Sequence, residues 1–142
     1  MHHMSKIPIK NAQVSMEYIM LAGFTFLIIL PLIVIGFLYS SESEDQIITS
    51  QLNQITKKLV DSAEEVYYYG EPAKTIVDIY MPKNIESAAI TGNTILFKVR
   101  TINGVTDVAY SSPVLINGTL PISQGIKHIK IEAKGNYVWI SE

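Results

Sequence analysis

The stretch that decides the fold is residues 13–39, QVSMEYIMLAGFTFLIILPLIVIGFLY, in which a long apolar run follows one acidic side chain. The run at residues 19–39 has 21 residues and no charge, which corresponds to roughly 31 Å of helix and matches the hydrocarbon core of a bilayer. The acidic side chain is Glu17. A lone carboxylate in hydrocarbon costs about 2.5 to 3.5 kcal/mol even on insertion scales, so it indicates a function. The stretch predicts a membrane-spanning helix with one functional carboxylate.

The segments on either side of the run predict its orientation. Lys6 and Lys10 precede the run, whereas Glu42, Glu44 and Asp45 follow it. Basic residues tend to stay in the cytoplasm, so the leader should lie inside and the rest of the chain outside. A secretory signal has an apolar stretch of only about 7 to 15 residues, so cleavage in the serine-rich residues 40–43 is the second choice.

A helical pattern continues past the membrane segment. Apolar residues recur at spacings of three and four and form a stripe along one side of the helix: Ile48, Leu52, Ile55, Leu59, Ala63 and Val66. Ile47 and Tyr67 widen this stripe. Ser41 and Glu44 could cap a separate helix, but residues 38–69 contain no Pro or Gly, which favours one continuous helix. Gly70 and Pro72 predict its end.

The remainder of the chain changes to a period of two, which is typical of strands. The predicted strands are residues 75–81, 86–91, 94–102, 105–110, 126–133 and 137–140. Turns are expected at Gly92-Asn93, Asn103-Gly104 and residues 134–136, whereas residues 113–123 are punctuated by Pro and Gly and are left unassigned. We therefore predict an α+β fold, in which a long N-terminal α-helix packs on a C-terminal antiparallel β-sheet head of five or six strands.

The composition indicates that the protein is neither an enzyme nor a nucleic-acid-binding protein. The chain has no cysteine, no glycine-rich phosphate loop and no concentrated basic patch. His2 and His3 lie in the leader, and His128 stands alone on a polar strand face without an identifiable partner. The sequence therefore predicts a protein that is not an enzyme, with no catalytic, cofactor or metal site and no nucleic-acid partner.

Two weaker features each have a structural and a functional interpretation. Asn117-Gly118-Thr119 is an N-glycosylation sequon in a turn-rich stretch, and a plain β-turn explains it as well. Residues 67–69 are three tyrosines at the end of the long helix. We expect at least one of them to pack under the sheet, and an exposed one could contact a neighbour.

Residues 10–18 read KNAQVSMEY and are followed by the apolar helix, its amphipathic continuation and the strand-rich remainder. On these features the chain resembles archaeal type IV pilin precursors, which carry a class III signal peptide. The resemblance implies that a membrane aspartyl prepilin peptidase cuts between Ala12 and Gln13. Glu17 would then be the fifth residue of the mature chain, a position that pilins fill with glutamate. Ala12 stands where glycine is more usual.

The resemblance also implies self-assembly. Cleavage would expose an ammonium group at Gln13, and the Glu17 carboxylate of one subunit could meet the ammonium of a neighbour, which sets the register of a helical filament. The alternative is that Glu17 lies at headgroup level beside Lys10 in an ordinary anchor. Pro31 removes a backbone hydrogen bond and predicts a kink near residues 27–31, which is either an ordinary feature of a membrane helix or a softening that helps the chain pack against copies of itself.

These arguments divide the chain into a leader at residues 1–12 that is removed, a transmembrane and filament-core helix at residues 13–40, an amphipathic continuation at residues 41–70 and an extracellular head at residues 71–142. The implied function is a structural subunit of a surface pilus, used for adhesion more than for motility. The implied partners are other copies, the prepilin peptidase, the pilus assembly platform in the membrane and, before assembly, membrane lipid. The runner-up is a monomeric, membrane-anchored extracellular binding module.

Overall fold

The computed structural model describes the backbone of residues 9–142 and the side chains of residues 13–142. One helix is followed by seven strands: α1 (Ile9–Tyr69), β1 (Lys74–Met81), β2 (Ile85–Thr91), β3 (Thr94–Thr101), β4 (Gly104–Ser111), β5 (Ile116–Gly118), β6 (Gly125–Ala133) and β7 (Val138–Ser141). The predicted α+β fold, with one long N-terminal helix and a strand-rich remainder, is confirmed. The chain divides into two compact units, Met1–Ser41 and Glu42–Glu142, and α1 contributes residues to both.

The predicted continuity of the long helix is confirmed, because α1 runs without interruption from Ile9 to Tyr69. It continues through Pro31, whose missing N–H leaves the carbonyl of Leu27 without its usual helical donor. The kink itself stays a prediction. The expected end is also confirmed: Gly70 takes a φ of 72°, and its N–H donates to the carbonyls of Val66 and Tyr67 at 3.2 and 3.1 Å.

The strands form two sheets, so the prediction of a single antiparallel sheet is wrong. The four-stranded sheet has the order β1-β6-β7-β5, and the three-stranded sheet has the order β2-β3-β4. The chain changes direction between β1 and β2, because Pro82 cannot donate a ladder hydrogen bond and Asn84 takes a φ of 67°. β5 comes from the unassigned residues 113–123 and pairs with β7 in parallel. The four-stranded sheet is therefore mixed.

The predicted meander is confirmed, with one turn displaced by a residue. The pair Thr91 and Thr94 encloses the expected turn at residues 92–93. At the next turn Thr101 pairs with Gly104, so the loop consists of Ile102 and Asn103, and Gly104 begins β4 with a φ of 124°. The sequence pattern located the hairpin correctly but placed its loop one residue too late.

The core of the second unit joins the apolar stripe of α1 to the inner faces of both sheets. All six stripe residues predicted from Ile48 to Val66 are buried, and so are Val60 and Thr56, which the pattern missed. Thr56 is buried without cost to hydrogen bonding, because its Oγ1 donates to the Leu52 carbonyl at 2.6 Å. Ile47 is 56% exposed, so its assignment to the stripe is wrong.

Candidate assembly segment

The described residues contain one helix that is long and apolar enough to cross a membrane, near the N-terminus. Its large apolar side chains are exposed rather than packed against the rest of the protein; Phe24 is 65% exposed, Leu32 62% and Phe37 74%. Exposed apolar surface of this extent in a protein marks a region that lipid or another protein covers. The length and composition of the segment fit either.

Glu17 is the one charged side chain between residues 13 and 41. It is exposed and follows Gln13 by four residues of α1, so the two lie on the same face of the helix. Within the part of the chain whose side chains the structure describes, Glu17 has no hydrogen bond or ion pair. The predicted cleavage site falls in the helical backbone of α1, but the side chain of Ala12 and residues 1–8 lie outside the described residues. Processing and register therefore stay predictions.

Two hydroxyl groups of the segment are satisfied inside the helix. Thr25 Oγ1 donates to the Leu21 carbonyl at 2.8 Å, and Ser41 Oγ donates to the Phe37 carbonyl at 3.1 Å. Hydroxyl groups bonded in this way tolerate an apolar environment because they need no water. Glu17 differs from them, because its exposed carboxylate has no partner among the described side chains.

Gly23 and Gly36 expose bare backbone on the same segment. A Cβ atom added at either position would meet nothing within 4 Å, so no contact inside the described chain requires glycine there. Small residues let helix backbones approach closely in membrane-type packing. These two positions are therefore suited to the close approach of a neighbouring helix.

The second unit has a polar groove beside α1. Its cavity of about 420 Å³ is lined by Glu42, Asp45, Gln46, Thr49, Ser50, Asn53, Thr101, Asn103 and Thr106. Asp45 Oδ2 accepts a hydrogen bond from the Ile102 N–H at 3.0 Å at its edge. Among the residues that the structure describes, no group of three or more His, Asp or Glu side chains could hold a metal ion. The groove is open to solvent, and most of its lining residues are polar or acidic.

The sequon lies on an exposed edge of the four-stranded sheet. Asn117 is exposed on β5, and its Oδ1 accepts a hydrogen bond from the Gly118 N–H at 2.8 Å. Gly118 has a φ of 132°, and a Cβ atom there would lie 1.8 Å from the carbonyl oxygen of Ile140. The middle residue of the sequon is therefore glycine for a structural reason. Glycosylation of Asn117 stays a prediction.

The sequence pattern identified no partner for His128, and the structure shows that it contacts Asp78. His128 on β6 pairs in register with Asp78 on β1, and Nδ1 of the histidine lies 2.5 Å from Oδ1 of the aspartate. Both side chains are exposed, so the pair adds little to stability. Only the register between two strands far apart in the chain reveals this contact.

Glu132 on the same sheet is held between two lysines. Lys130 Nζ lies 2.8 Å from its Oε1, and Lys134 Nζ lies 3.3 Å from its Oε2. The hydrogen bond from Lys130 is the largest cause that lowers the pKa of Glu132, and Lys134 lowers it further. Glu132 is therefore more acidic than an isolated glutamate.

The three tyrosines at the end of α1 divide as the sequence suggested. Tyr67 packs against the core, and its ring meets that of Tyr68 edge to face at 5.9 Å. Tyr68 and Tyr69 are 73% and 75% exposed. Two large aromatic side chains therefore remain available to a partner at this end of the helix.

Comparison with protein-family models, with curated proteins and with solved structures gave no match. Function is therefore inferred from the fold and from the chemistry of these residues.

Proposed function

We propose that this chain is the precursor of a pilin-like structural subunit, inserted in a membrane through α1 and polymerised into an extracellular filament after cleavage between Ala12 and Gln13. The β-rich head is displayed outside, where it serves in adhesion. The protein acts as a substrate of a prepilin peptidase and is not an enzyme. Membrane lipid surrounds its apolar segment before assembly, and the assembly platform and other copies are its partners.

The exposure of the apolar segment carries this proposal. The 21 residues from 19 to 39 carry no charge, yet the head has a core of its own that makes no use of them. A simple anchor would also account for the exposed apolar side chains, with Glu17 at headgroup level, so the experiment below is chosen to distinguish the two. Helices that pack together in a filament would cover the same surface that lipid covers first.

In the proposed filament, Glu17 forms an ion pair between subunits. After cleavage the new ammonium at Gln13 lies one helical turn from Glu17 in its own chain, and the two groups of adjacent, axially displaced subunits can pair. A subunit added out of register would leave a buried charge unpaired, which costs about 3 to 5 kcal/mol. The pair therefore selects the register, while the apolar helices provide most of the contact area.

A test of this function starts from the full-length chain, expressed together with a prepilin peptidase. Mass spectrometry of sheared surface material should find Gln13 at the N-terminus, and electron microscopy should show filaments. We expect Glu17→Gln to insert and to be cleaved normally but to form no detectable filaments. Glu42→Gln is the matched control, because it removes a carboxylate outside the apolar segment and should assemble normally. Normal filaments from Glu17→Gln would contradict the register argument.

The polar groove of the second unit favours one other function, a membrane-anchored binding module that remains monomeric. Its cavity of about 420 Å³ is large enough for a small polar ligand. This alternative requires the leader to remain attached and the protein to stay in the membrane. Recovery of the uncut chain as single molecules in lipid would favour it over the filament.

A further inference from the structure

The chain enters the second unit at one end of that unit, which we call the entry end. There Glu44 Oε2 lies 3.2 Å from Lys83 Nζ in the link between the two sheets, and Asp45 accepts a hydrogen bond from the backbone N–H of Ile102 in the turn between β3 and β4. β1 starts after the end of α1 and finishes just before that link, so it runs back toward the entry end. The entry end therefore combines the first helical residues of the unit with parts of both sheets.

Exposed apolar side chains are concentrated at the entry end. Of the ten large apolar side chains that are exposed in residues 42–142, six lie there: Ile47, Tyr80, Ile102, Val105, Ile122 and Ile126. Tyr80 pairs in register with Ile126, and its hydroxyl accepts a hydrogen bond from Gln124 Nε2 at 3.2 Å. Ile122 precedes that glutamine by two residues, and Val105 directly follows the residue that closes the Ile102 turn. The entry end therefore exposes more large apolar side chains than the rest of the unit.

The six side chains belong to α1, to the three-stranded sheet and to the four-stranded sheet with its preceding loop. A partner that filled one groove would cover only part of this set. A flat apolar boundary that met the entry end could contact all of it. Exposed apolar surface of this kind marks a protein or membrane interaction site. The interfacial layer of a bilayer is a boundary of the required shape.

The polypeptide itself keeps the entry end close to a membrane. Tyr39 ends the apolar run and the second unit begins at Glu42, so at most about 11 Å of extended chain separates the two residues. Once α1 is inserted, a bilayer surface is therefore present beside the entry end at a high effective concentration. Another protein would have to reach the same place from solution. The tether favours lipid as the occupant.

The charges around the apolar set indicate which kind of lipid surface fits. Most of them are matched by an opposite charge: Lys83 with Glu44, Arg100 with Glu86, Lys127 with Glu142, His128 with Asp78 and, in register on β3 and β4, Lys98 with Asp107. Glu42 and Asp45 have no cationic partner among the described side chains. Two unmatched carboxylates would be repelled by an anionic surface, so a neutral one fits better.

We propose that the entry end of the second unit rests on the surface of the bilayer in which α1 is inserted, with its six exposed apolar side chains in the interfacial layer of neutral lipid. Interfacial binding grows with the apolar area buried, and tyrosine is enriched at this depth. The inference rests on the membrane insertion that the proposed function includes, and not on cleavage or filament assembly. It assigns the head a position on the membrane before assembly.

Fluorescence quenching by lipid tests this contact, because the chain has no cysteine and a label reacts only with an introduced thiol. Full-length, uncut Ile102→Cys and Ile126→Cys are labelled separately with nitrobenzoxadiazole and reconstituted into phosphatidylcholine vesicles that contain a lipid with a spin-labelled headgroup. Leu115→Cys is the matched control, an aliphatic residue that is 55% exposed beside the far end of β5. We expect the quenched fraction at residues 102 and 126 to exceed that at residue 115 about threefold or more.

The other outcomes separate this contact from the proposed function. Equal quenching at the three positions, in vesicles that retain the chain in alkaline carbonate, would overturn the head contact and leave membrane insertion intact. Release of the chain by carbonate would overturn insertion, and the proposed function with it. Emission that shifts to shorter wavelength without quenching by lipid would mean that another copy covers the entry end, and the lipid contact would be wrong.

A pair of substitutions provides a second measurement. Ile47→Gln with Ile126→Gln, added to the labelled Ile102→Cys chain, should lower its quenching toward the value at residue 115, because less apolar area meets the lipid. Tyr68→Gln with Leu115→Gln is the matched control, since it removes two exposed apolar side chains away from the entry end and should change nothing. Circular dichroism confirms that both variants fold. An equal loss of quenching in the two variants would contradict the proposed contact.

Discussion

Asp45 on α1 accepts a hydrogen bond from the backbone N–H of Ile102, with 3.0 Å between Oδ2 and the nitrogen. The residues are far apart in sequence, so this one bond ties the start of the helical part of the second unit to the turn between β3 and β4. Next to it, Glu44 Oε2 lies 3.2 Å from Lys83 Nζ in the link between β1 and β2. Adjacent acids thus contact the turn between β3 and β4 and the link between the two sheets from the same turn of the helix.

The first prediction concerns that hydrogen bond. Asp45→Ala should lower the free energy of unfolding by about 1 kcal/mol, because the partly buried carboxylate accepts from a backbone donor that then has only water as a partner. Thermal unfolding of the full chain in detergent, followed by circular dichroism, should show a midpoint a few degrees lower. Glu42→Ala is the control and should leave the midpoint unchanged. Equal midpoints for both variants would mean that the contact is not formed.

A second prediction compares a buried residue of the apolar stripe of α1 with an exposed residue beside the stripe. Leu59 has no exposed surface, so Leu59→Ala should cost about 2 to 5 kcal/mol through lost burial and the cavity left behind. Ile47→Ala removes a similar apolar volume at a position that is 56% exposed, and the change should stay within about 0.5 kcal/mol. Chemical denaturation of the two variants provides the measurement. A larger effect at Ile47 would place the stripe on the wrong side of the helix.

The sequence predicted the helix and its buried stripe because both depend on local periodicity. The same holds for the alternation in β3, where Ile95, Phe97 and Val99 are fully buried as expected. It missed the division into two sheets, because the pairing of β1 with β6 joins strands far apart in the chain. It missed β5 because that strand lies in a stretch with no strand pattern.

The residues of the candidate site also differ in whether the sequence could reveal their role. Glu17 could be found from the sequence, since one charge within an apolar run is a local signal. The partner of His128 could not, because it depends on the register between β1 and β6, which are 50 residues apart at this contact. Under the proposed function the partner of Glu17 lies in another molecule, so neither the sequence nor the fold of a single chain contains it.

A third prediction uses the sequon. Gly118→Ala should strongly destabilise the head, since the new Cβ would lie 1.8 Å from the Ile140 carbonyl oxygen and the φ of 132° disfavours a side chain. Thr119→Ala removes the same sequon without such a clash and should fold normally. If Asn117 is glycosylated, intact-mass measurement of filaments should show a glycan on the original chain and none on Thr119→Ala. Equal masses apart from the substitution itself would contradict glycosylation.

A fourth prediction concerns pH and the carboxylate between two lysines. The pKa of Glu132 is lowered in the folded head from an ordinary value of 4.5, chiefly by the hydrogen bond from Lys130. The folded state therefore favours the ionised form of Glu132. The contribution of this carboxylate to stability is fully present above pH 4.5 and is lost as the pH falls through its lowered pKa in the folded state. Glu132→Gln should have a lower unfolding midpoint than the original chain at pH 7, and the difference should shrink as the pH falls below 4.5. The same titration of Glu42→Gln is the control, since Glu42 is exposed and has no ion pair among the described side chains. A midpoint difference for Glu132→Gln that stayed constant from neutral to acidic pH would show that the two lysines do not stabilise the ionised form.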